Sequence, residues 1–253
     1  MNLTYAGLEL KRFARDRVNL FFVAILPAFF YLVFGAAQDY KDAPVGNGNV
    51  AFYILVSMAA YGAVTATVGI GGMAAVERMQ GWGRQLGLTP LPDRGFVVVK
   101  AFLAVAVAAV PITLIALLGA STGASAEPWT WVVSIGVIML GATVFALFGL
   151  CAGLAFRTEA AVGAASGIMV IMAFLGNLFI PLTGALLTAA KFTPLYGYVA
   201  LARYPATEGR LIDGRGGLTD SEPLWVPLLN VSVWAAVFGV AAVWLVRRVR
   251  GRE

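Results

Sequence analysis

The side chains best suited to chemistry in this sequence are gathered in one segment, residues 77–92. Arg78 and Arg84 alternate there with the apolar side chains of Trp82 and Leu86, and two prolines end the segment. A short amphipathic helix of this kind can bind a groove on another protein, or it can lie on lipid headgroups. Composition alone leaves both interpretations open. In either case the segment is predicted to bind a protein or lipid surface and not to catalyse a reaction.

Catalytic and metal-binding chemistry is excluded largely by the residue types. The chain has no histidine and one cysteine, Cys151, which removes histidine-based catalysis, histidine-bound metals and internal disulfides. It has no Gly-x-x-x-x-Gly-Lys-Ser/Thr sequence, so no nucleotide site is recognisable. We therefore expect no catalytic residue, metal or cofactor in this chain, and energy for any uphill movement must come from another subunit.

The segment 77–92 lies between long windows that contain no Asp, Glu, Lys or Arg. The chain is 60% hydrophobic and 12% charged, whereas a soluble domain is about 25% charged. A helix of about 20 apolar residues crosses the hydrocarbon core of a bilayer, where a charge costs about 2.5–3.5 kcal/mol. The windows predict an all-α polytopic membrane protein with a single transmembrane domain over residues 1–253. Its six transmembrane helices are expected at about residues 18–37, 50–76, 96–118, 129–156, 160–187 and 224–246.

The distribution of basic residues predicts the orientation. With a cytoplasmic N-terminus, thirteen of the 18 Lys and Arg residues fall on the inside and five on the outside. The outside five are Lys41, Lys191, Arg203, Arg210 and Arg215. Cytoplasmic loops are enriched in Lys and Arg, so both termini are expected in the cytoplasm. The net charge of +5 then marks the inner membrane face and does not indicate nucleic-acid binding.

The N-terminal residues 2–16 predict an amphipathic helix on the cytoplasmic surface. Leu3, Leu10 and Phe13 recur at helical spacing, with basic residues between them. The alternative is a frayed basic tail. The apolar run that follows, Val18–Ala37, is longer than the apolar core of a signal peptide, so we interpret it as a retained first span.

Two glycine pairs flank the short connection between the fourth and fifth spans. They are Gly149-x-x-x-Gly153 and Gly163-x-x-x-Gly167. Such pairs allow helix backbones to approach closely. We expect packing within the chain rather than a dimer seam.

Two motifs resemble the type-2 permease family of ATP-binding-cassette (ABC) transporters. Members have six spans and carry Glu-Arg…Gly…Leu…Thr-Pro-Leu after the second span. The matching residues are Glu77, Arg78, Gly81, Leu86, Thr89, Pro90 and Leu91. A second pattern follows the fifth span and is matched by Pro181, Pro194, Leu195, Tyr196, Ala202 and Arg203. Trp82 stands where family members often have Thr.

The resemblance implies an exporter subunit in the bacterial plasma membrane. Two permease copies, identical or different, would pair with two separate ABC ATPase subunits, which bind ATP and Mg²⁺. The segment 77–92 would be the coupling helix and residues 2–16 a connecting helix against the same ATPase. Coupling residues would be Glu77, Arg78, Gly81, Trp82, Arg84, Leu86, Thr89 and Pro90. Short re-entrant helices in the outer region would include Pro181, Pro194, Tyr196 and Arg203.

The same resemblance implies a translocation path along the first, second and fifth spans. Its candidate residues are Phe29, Phe174, Asn177 and Phe179. A path without charges favours hydrophobic or amphiphilic cargo such as drugs, antibiotics or lipids. Each residue also has a simpler role, because Asn177 could join two helices and the aromatic side chains could face lipid. The alternative function is a membrane anchor or sensor that recruits an ATPase or signalling protein without transporting cargo.

Overall fold

The described part of the chain consists of helices and one small β-hairpin. The computed structural model describes residues 3–77, 93–212, 217 and 221–250. In chain order the helices are α1 (Leu3–Arg15), α2 (Arg17–Ala36), α3 (Val50–Glu77), α4 (Asp93–Thr122), α5 (Pro128–Phe156), α6 (Glu159–Leu175), α7 (Gly184–Ala190), α8 (Pro194–Thr207) and α9 (Trp225–Arg250). Strands β1 (Pro44–Val45) and β2 (Gly48–Asn49) pair antiparallel between α2 and α3.

Five helices of the described chain are long and apolar enough to cross a membrane. They are Arg17–Ala36, Val50–Glu77, Val99–Thr122, Pro128–Phe156 and Trp225–Arg248. These spans confirm the prediction of an all-α polytopic membrane protein. The remaining predicted span, the fifth, corresponds to a shorter helix, Glu159–Leu175.

The predicted fifth span, about 160–187, is wrong as a single helix. α6 has 17 residues and ends at Leu175, and Asn177 then adopts a left-handed backbone with φ 58°. A β-carbon at Gly176 would lie 2.9 Å from Leu195 Cβ, so glycine allows α8 to approach this break. A charge-free window measures apolar length only, and here it extends across residues that end a helix.

Helix α3 forms the centre of the bundle and is buried along most of its length. It packs most extensively against α5. A β-carbon built on Gly149 of α5 would lie 2.0 Å from the Val68 carbonyl oxygen of α3. The expected close approach of helix backbones is confirmed for the first glycine pair, Gly149 and Gly153. The β-carbon positions of the second pair, Gly163 and Gly167, meet nothing within 4 Å.

We predict that Gly149→Ala destabilises the bundle by about 1–3 kcal/mol, because the new methyl group forces two packed backbones apart. Gly136→Ala is a matched control on the same helix, since a β-carbon there meets no atom within 4 Å. The midpoint of thermal unfolding in detergent should fall for Gly149→Ala only. Equal midpoints for the two variants would contradict the close α3–α5 packing.

The expected N-terminal helix is present as α1, which excludes the frayed tail. Asp16 ends it, and its Oδ1 accepts a hydrogen bond from the Asn19 backbone N–H at 3.0 Å, starting α2. Phe13 is buried against Val23 and Leu103, and Leu10 packs on the same cluster. The apolar face of α1 therefore rests on the bundle, while its basic side chains are exposed. The side chain of Leu3 lies outside the described residues.

The two ends of α3 define two ends of the bundle. At Val50 it follows the hairpin, whose Asn49 side chain bonds the backbone of Gly123 and Ser125. At Glu77 it contacts α1. We name these the hairpin end and the α1 end.

Candidate functional site

A cluster of four charged side chains joins three helices at the α1 end. We call it the Glu77 cluster, and it consists of Glu9, Arg12, Glu77 and Lys100. Lys100 Nζ lies 2.6 Å from Glu77 Oε2 and 3.0 Å from Glu9 Oε2. Arg12 Nη1 donates to Glu77 Oε1 at 2.7 Å. Glu77 therefore receives one cation on each carboxylate oxygen.

The cluster has a buried part and a solvent-exposed part. Glu77 and Lys100 are 6% and 7% exposed, whereas the Arg12 side chain is 59% exposed. Removing one partner of a buried ion pair costs about 3–5 kcal/mol, because the other charge remains buried. An exposed pair is worth about 1 kcal/mol or less. Loss of Lys100 should therefore lower the free energy of unfolding more than loss of Arg12.

Helix geometry brings these side chains together. Glu9 lies one turn from Tyr5 and one turn from Phe13, so all three share the face of α1 that packs on the bundle. Burial, and then the neighbouring Glu9 carboxylate, raise the pKa of the Tyr5 hydroxyl above its ordinary value. Tyr5 therefore stays neutral and adds no charge to the cluster.

The cluster brackets the segment predicted to couple to a partner. Glu77 is the last residue of α3, directly before that segment, and Lys100 lies in α4, directly after it. The helices on both sides of the segment are thus bonded to α1. The other predicted coupling residues lie outside the described residues: Arg78, Gly81, Trp82, Arg84, Leu86, Thr89 and Pro90.

Sequence reasoning identified Glu77 but missed Glu9 and Lys100. In the sequence Lys100 counts only as one of the inside charges, and Glu9 belongs to no motif. One signal was present, because Glu9 shares a helical face with the apolar Phe13. A carboxylate in such a position requires a buried cation as its partner.

A cavity of about 650 Å³ extends from the Glu77 cluster into the bundle. Its interior is lined by apolar side chains of α2, α3 and α6, including Phe22, Tyr61 and Val170. Charged side chains surround its other part, namely Glu9, Arg12, Asp16, Glu77, Lys100 and Glu159. A cavity with one apolar and one charged part is suited to an amphiphilic molecule.

The candidate path residues do not line this cavity. Phe29 is 55% exposed on α2. Phe174 and Tyr61 each pack on Phe179, with ring centroids 4.9 Å and 5.0 Å apart. Asn177 is buried, and its Oδ1 accepts from the Leu182 backbone N–H at 2.8 Å, so it stabilises the break after α6 instead of joining two helices. Their role in a path stays a prediction.

The second motif forms short helices at the hairpin end. Pro194 begins α8, capped by Thr193, and Pro181 lies exposed before α7. The Tyr196 hydroxyl donates to Glu222 Oε2 at 2.7 Å. Arg203 is not in an outside loop, as its sequence position indicated, but is buried inside the bundle at 3% exposure.

These features define a class, that of multi-pass membrane proteins built as a helical bundle with a cavity between its helices. The comparison with known proteins makes the class more specific. The chain is 29% identical over 175 residues to "Putative transport permease YvfS" of Bacillus subtilis (strain 168). The aligned region covers 68% of this chain and 71% of that protein. No family model matches the chain. The similarity to a protein of this name agrees with the resemblance to permeases that the two motifs indicate.

Proposed function

We propose that this chain is the permease subunit of an ATP-driven ABC exporter that moves an amphiphilic or hydrophobic substrate out of the cytoplasm. The observation that carries the proposal is the Glu77 cluster. It bonds α3 and α4, the helices before and after the segment 77–92, to α1 through a buried lysine. A partner that moves this segment would therefore move α1, α3 and α4 together.

The partner in this proposal is a separate ABC ATPase. It would contact the segment 77–92 and the exposed basic side of α1, including Lys11, Arg12 and Arg15. Two ATPase subunits and two permease copies would form the complex. ATP and Mg²⁺ would bind to the ATPase, which has the nucleotide site that the present sequence lacks. This chain would contribute the moving helices and the cavity.

The proposed topology has six crossings with both termini in the cytoplasm of a bacterium. The α1 end would face the cytoplasm and the hairpin end the exterior. α6 starts next to the end of α5, and the break after it contacts α8 near the hairpin. At 1.5 Å per residue, 17 residues extend about 25 Å, so α6 and the break together would complete the crossing.

The cargo follows from the cavity between α2, α3 and α6. Apolar side chains would hold the apolar part of an amphiphile, and the charged part of the cavity would hold its polar group. The charged part of the cavity lies at the α1 end, where a cytoplasmic substrate would enter. Drug-like, antibiotic and lipid-like molecules share this chemistry.

Site-directed cross-linking tests the partner contact. In a Cys151→Ser background, Arg84→Cys should cross-link to a co-expressed ABC ATPase encoded next to this gene. Tyr40→Cys is the matched control, since Tyr40 is 59% exposed near the hairpin. We expect cross-linking from position 84 and none from position 40. An equal yield from both positions, or no complex with any ABC ATPase, would contradict the proposal.

A further inference from the structure

Arg203 of α8 is a buried cation whose partners include no described carboxylate. It is 3% exposed, and the ion pairs of the described residues involve other cations. Ser57, its partner on α3, lies seven residues beyond Val50, which places it about 10 Å along the helix from the hairpin end. Ionisable groups within membrane segments are costly and are usually retained for function.

The guanidinium forms four hydrogen bonds. Nε and Nη2 donate to Ser57 Oγ at 3.0 Å and 2.6 Å. Nη1 donates to the Asn177 carbonyl oxygen at 2.9 Å, and Nη2 to the Leu178 carbonyl oxygen at 3.0 Å. The group also lies over the Tyr53 ring, 4.0 Å from its centroid. The planar fork of arginine makes these bonds in three directions, which a lysine ammonium cannot reproduce.

These bonds join a fixed element to an irregular one. α8 is attached firmly, because the Tyr198 hydroxyl donates to the Ile138 carbonyl oxygen of α5 at 2.9 Å, and the Asn47 backbone N–H of the hairpin loop donates to the Ala206 carbonyl oxygen at 2.7 Å. The break after α6, residues 176–183, has no regular helix. Its first carbonyl oxygens lie at the C-terminal end of α6, where the helix dipole favours a positive charge. Arg203 thus supplies that charge from a neighbouring helix.

The break carries Phe179, whose ring packs against a residue of the cavity wall. Phe179 packs on Tyr61, which lines the cavity. Phe30 and Phe174 surround the same ring, with centroids 5.5 Å and 4.9 Å from it. Any displacement of residues 176–183 would therefore move Phe179 and the aromatic side chains packed around it, next to the cavity wall.

We propose that Phe179 and the aromatic side chains around it close the cavity towards the hairpin end, and that Arg203 is the positioning residue of this closure. It holds the break after α6 against α3, and its bonds to the Asn177 and Leu178 carbonyl oxygens must be released before a path opens towards the hairpin end. The bonds to Ser57 and the contact with Tyr53 keep the guanidinium on α3 during that opening. This inference rests on the proposed transport function, because only a transporter requires the opening.

Thiol labelling tests the closure on the chain without any ATPase. Leu178→Cys in a Cys151→Ser background introduces one thiol at a position that is 3% exposed. A membrane-impermeant maleimide would be applied to proteoliposomes, and the labelling rate measured. We expect Arg203→Lys and Ser57→Ala to label at least about tenfold faster than the parent, equivalent to about 1.4 kcal/mol in the opening equilibrium. Lys191→Met is the control, because Lys191 pairs with Glu222 at the same end without bonding the break.

The outcomes separate the closure from a role in folding alone. Each variant is first checked for a monodisperse elution profile. Faster labelling in folded Arg203→Lys or Ser57→Ala, with the parent rate in Lys191→Met, supports the proposal. Parent rates in the folded variants overturn it, and if Arg203→Lys does not fold, Ser57→Ala decides alone. Faster labelling together with failure of the cross-linking to an ATPase would retain the closure and refute the exporter.

Discussion

Lys100→Met should abolish coupled transport and strongly destabilise the α1 end of the bundle. The substitution leaves the carboxylates of Glu9 and Glu77 buried beside each other without their shared cation. Loss of a partner from a buried ion pair costs about 3–5 kcal/mol. Two measurements follow in detergent and in proteoliposomes: the midpoint of thermal unfolding, and ATP-dependent uptake of a fluorescent amphiphile in the presence of the ATPase.

Two further variants give this prediction its controls. Arg12→Met removes a cation that is 59% exposed, so it should change stability by about 1 kcal/mol or less. The triple variant Glu9→Gln, Glu77→Gln and Lys100→Met removes the buried charges together. It should recover most of the lost stability, because no unpaired charge remains, yet it should not recover transport. Normal transport by Lys100→Met or by the triple variant would refute a coupling role for the cluster.

Gly167→Trp should block transport while leaving ATPase binding intact. Gly167 lines the cavity, and a β-carbon at this position meets nothing within 4 Å. The indole can therefore enter the cavity without a backbone clash and occupy volume needed by the cargo. Uptake of the fluorescent amphiphile and co-purification of the ATPase would be measured on the same preparation.

The effect should depend on the size and the position of the added side chain. Gly167→Ala should transport nearly as well as the parent. Gly239→Trp places the same indole on α9 at another open glycine outside the cavity lining, and it should also transport normally. Full transport by Gly167→Trp would show that the cargo does not pass through this cavity.

The elements that depend on composition were predictable from the sequence. Apolar length and the absence of charge located α2, α3, α4, α5 and α9, because a bilayer excludes unpaired charge from its core. The helical spacing of Leu10 and Phe13 predicted α1. It did not show that the bundle, rather than lipid, covers the apolar face of α1, since both surfaces are apolar.

The elements that depend on three-dimensional pairing were not predictable. Lys100 and Glu9 are 91 positions apart, and nothing local indicates that they meet. The rule that positive residues lie in loops predicts an outside position for Arg203. In the structure its side chain is buried and bonded to Ser57 and two carbonyl oxygens, which no local pattern indicates. The break after α6 depends on Asn177, whose left-handed backbone is common only for glycine and a few polar residues.

Transport by the purified complex tests the central claim most directly. Proteoliposomes would contain this chain with its ABC ATPase, or with the same ATPase inactivated by mutation of its catalytic glutamate. If the chain is moved by the ATPase through its α1 end, a fluorescent amphiphile should cross the membrane only with the active ATPase and ATP. ATP hydrolysis without any movement of amphiphiles would identify an anchor or sensor, and movement that needs no ATPase would equally contradict the account.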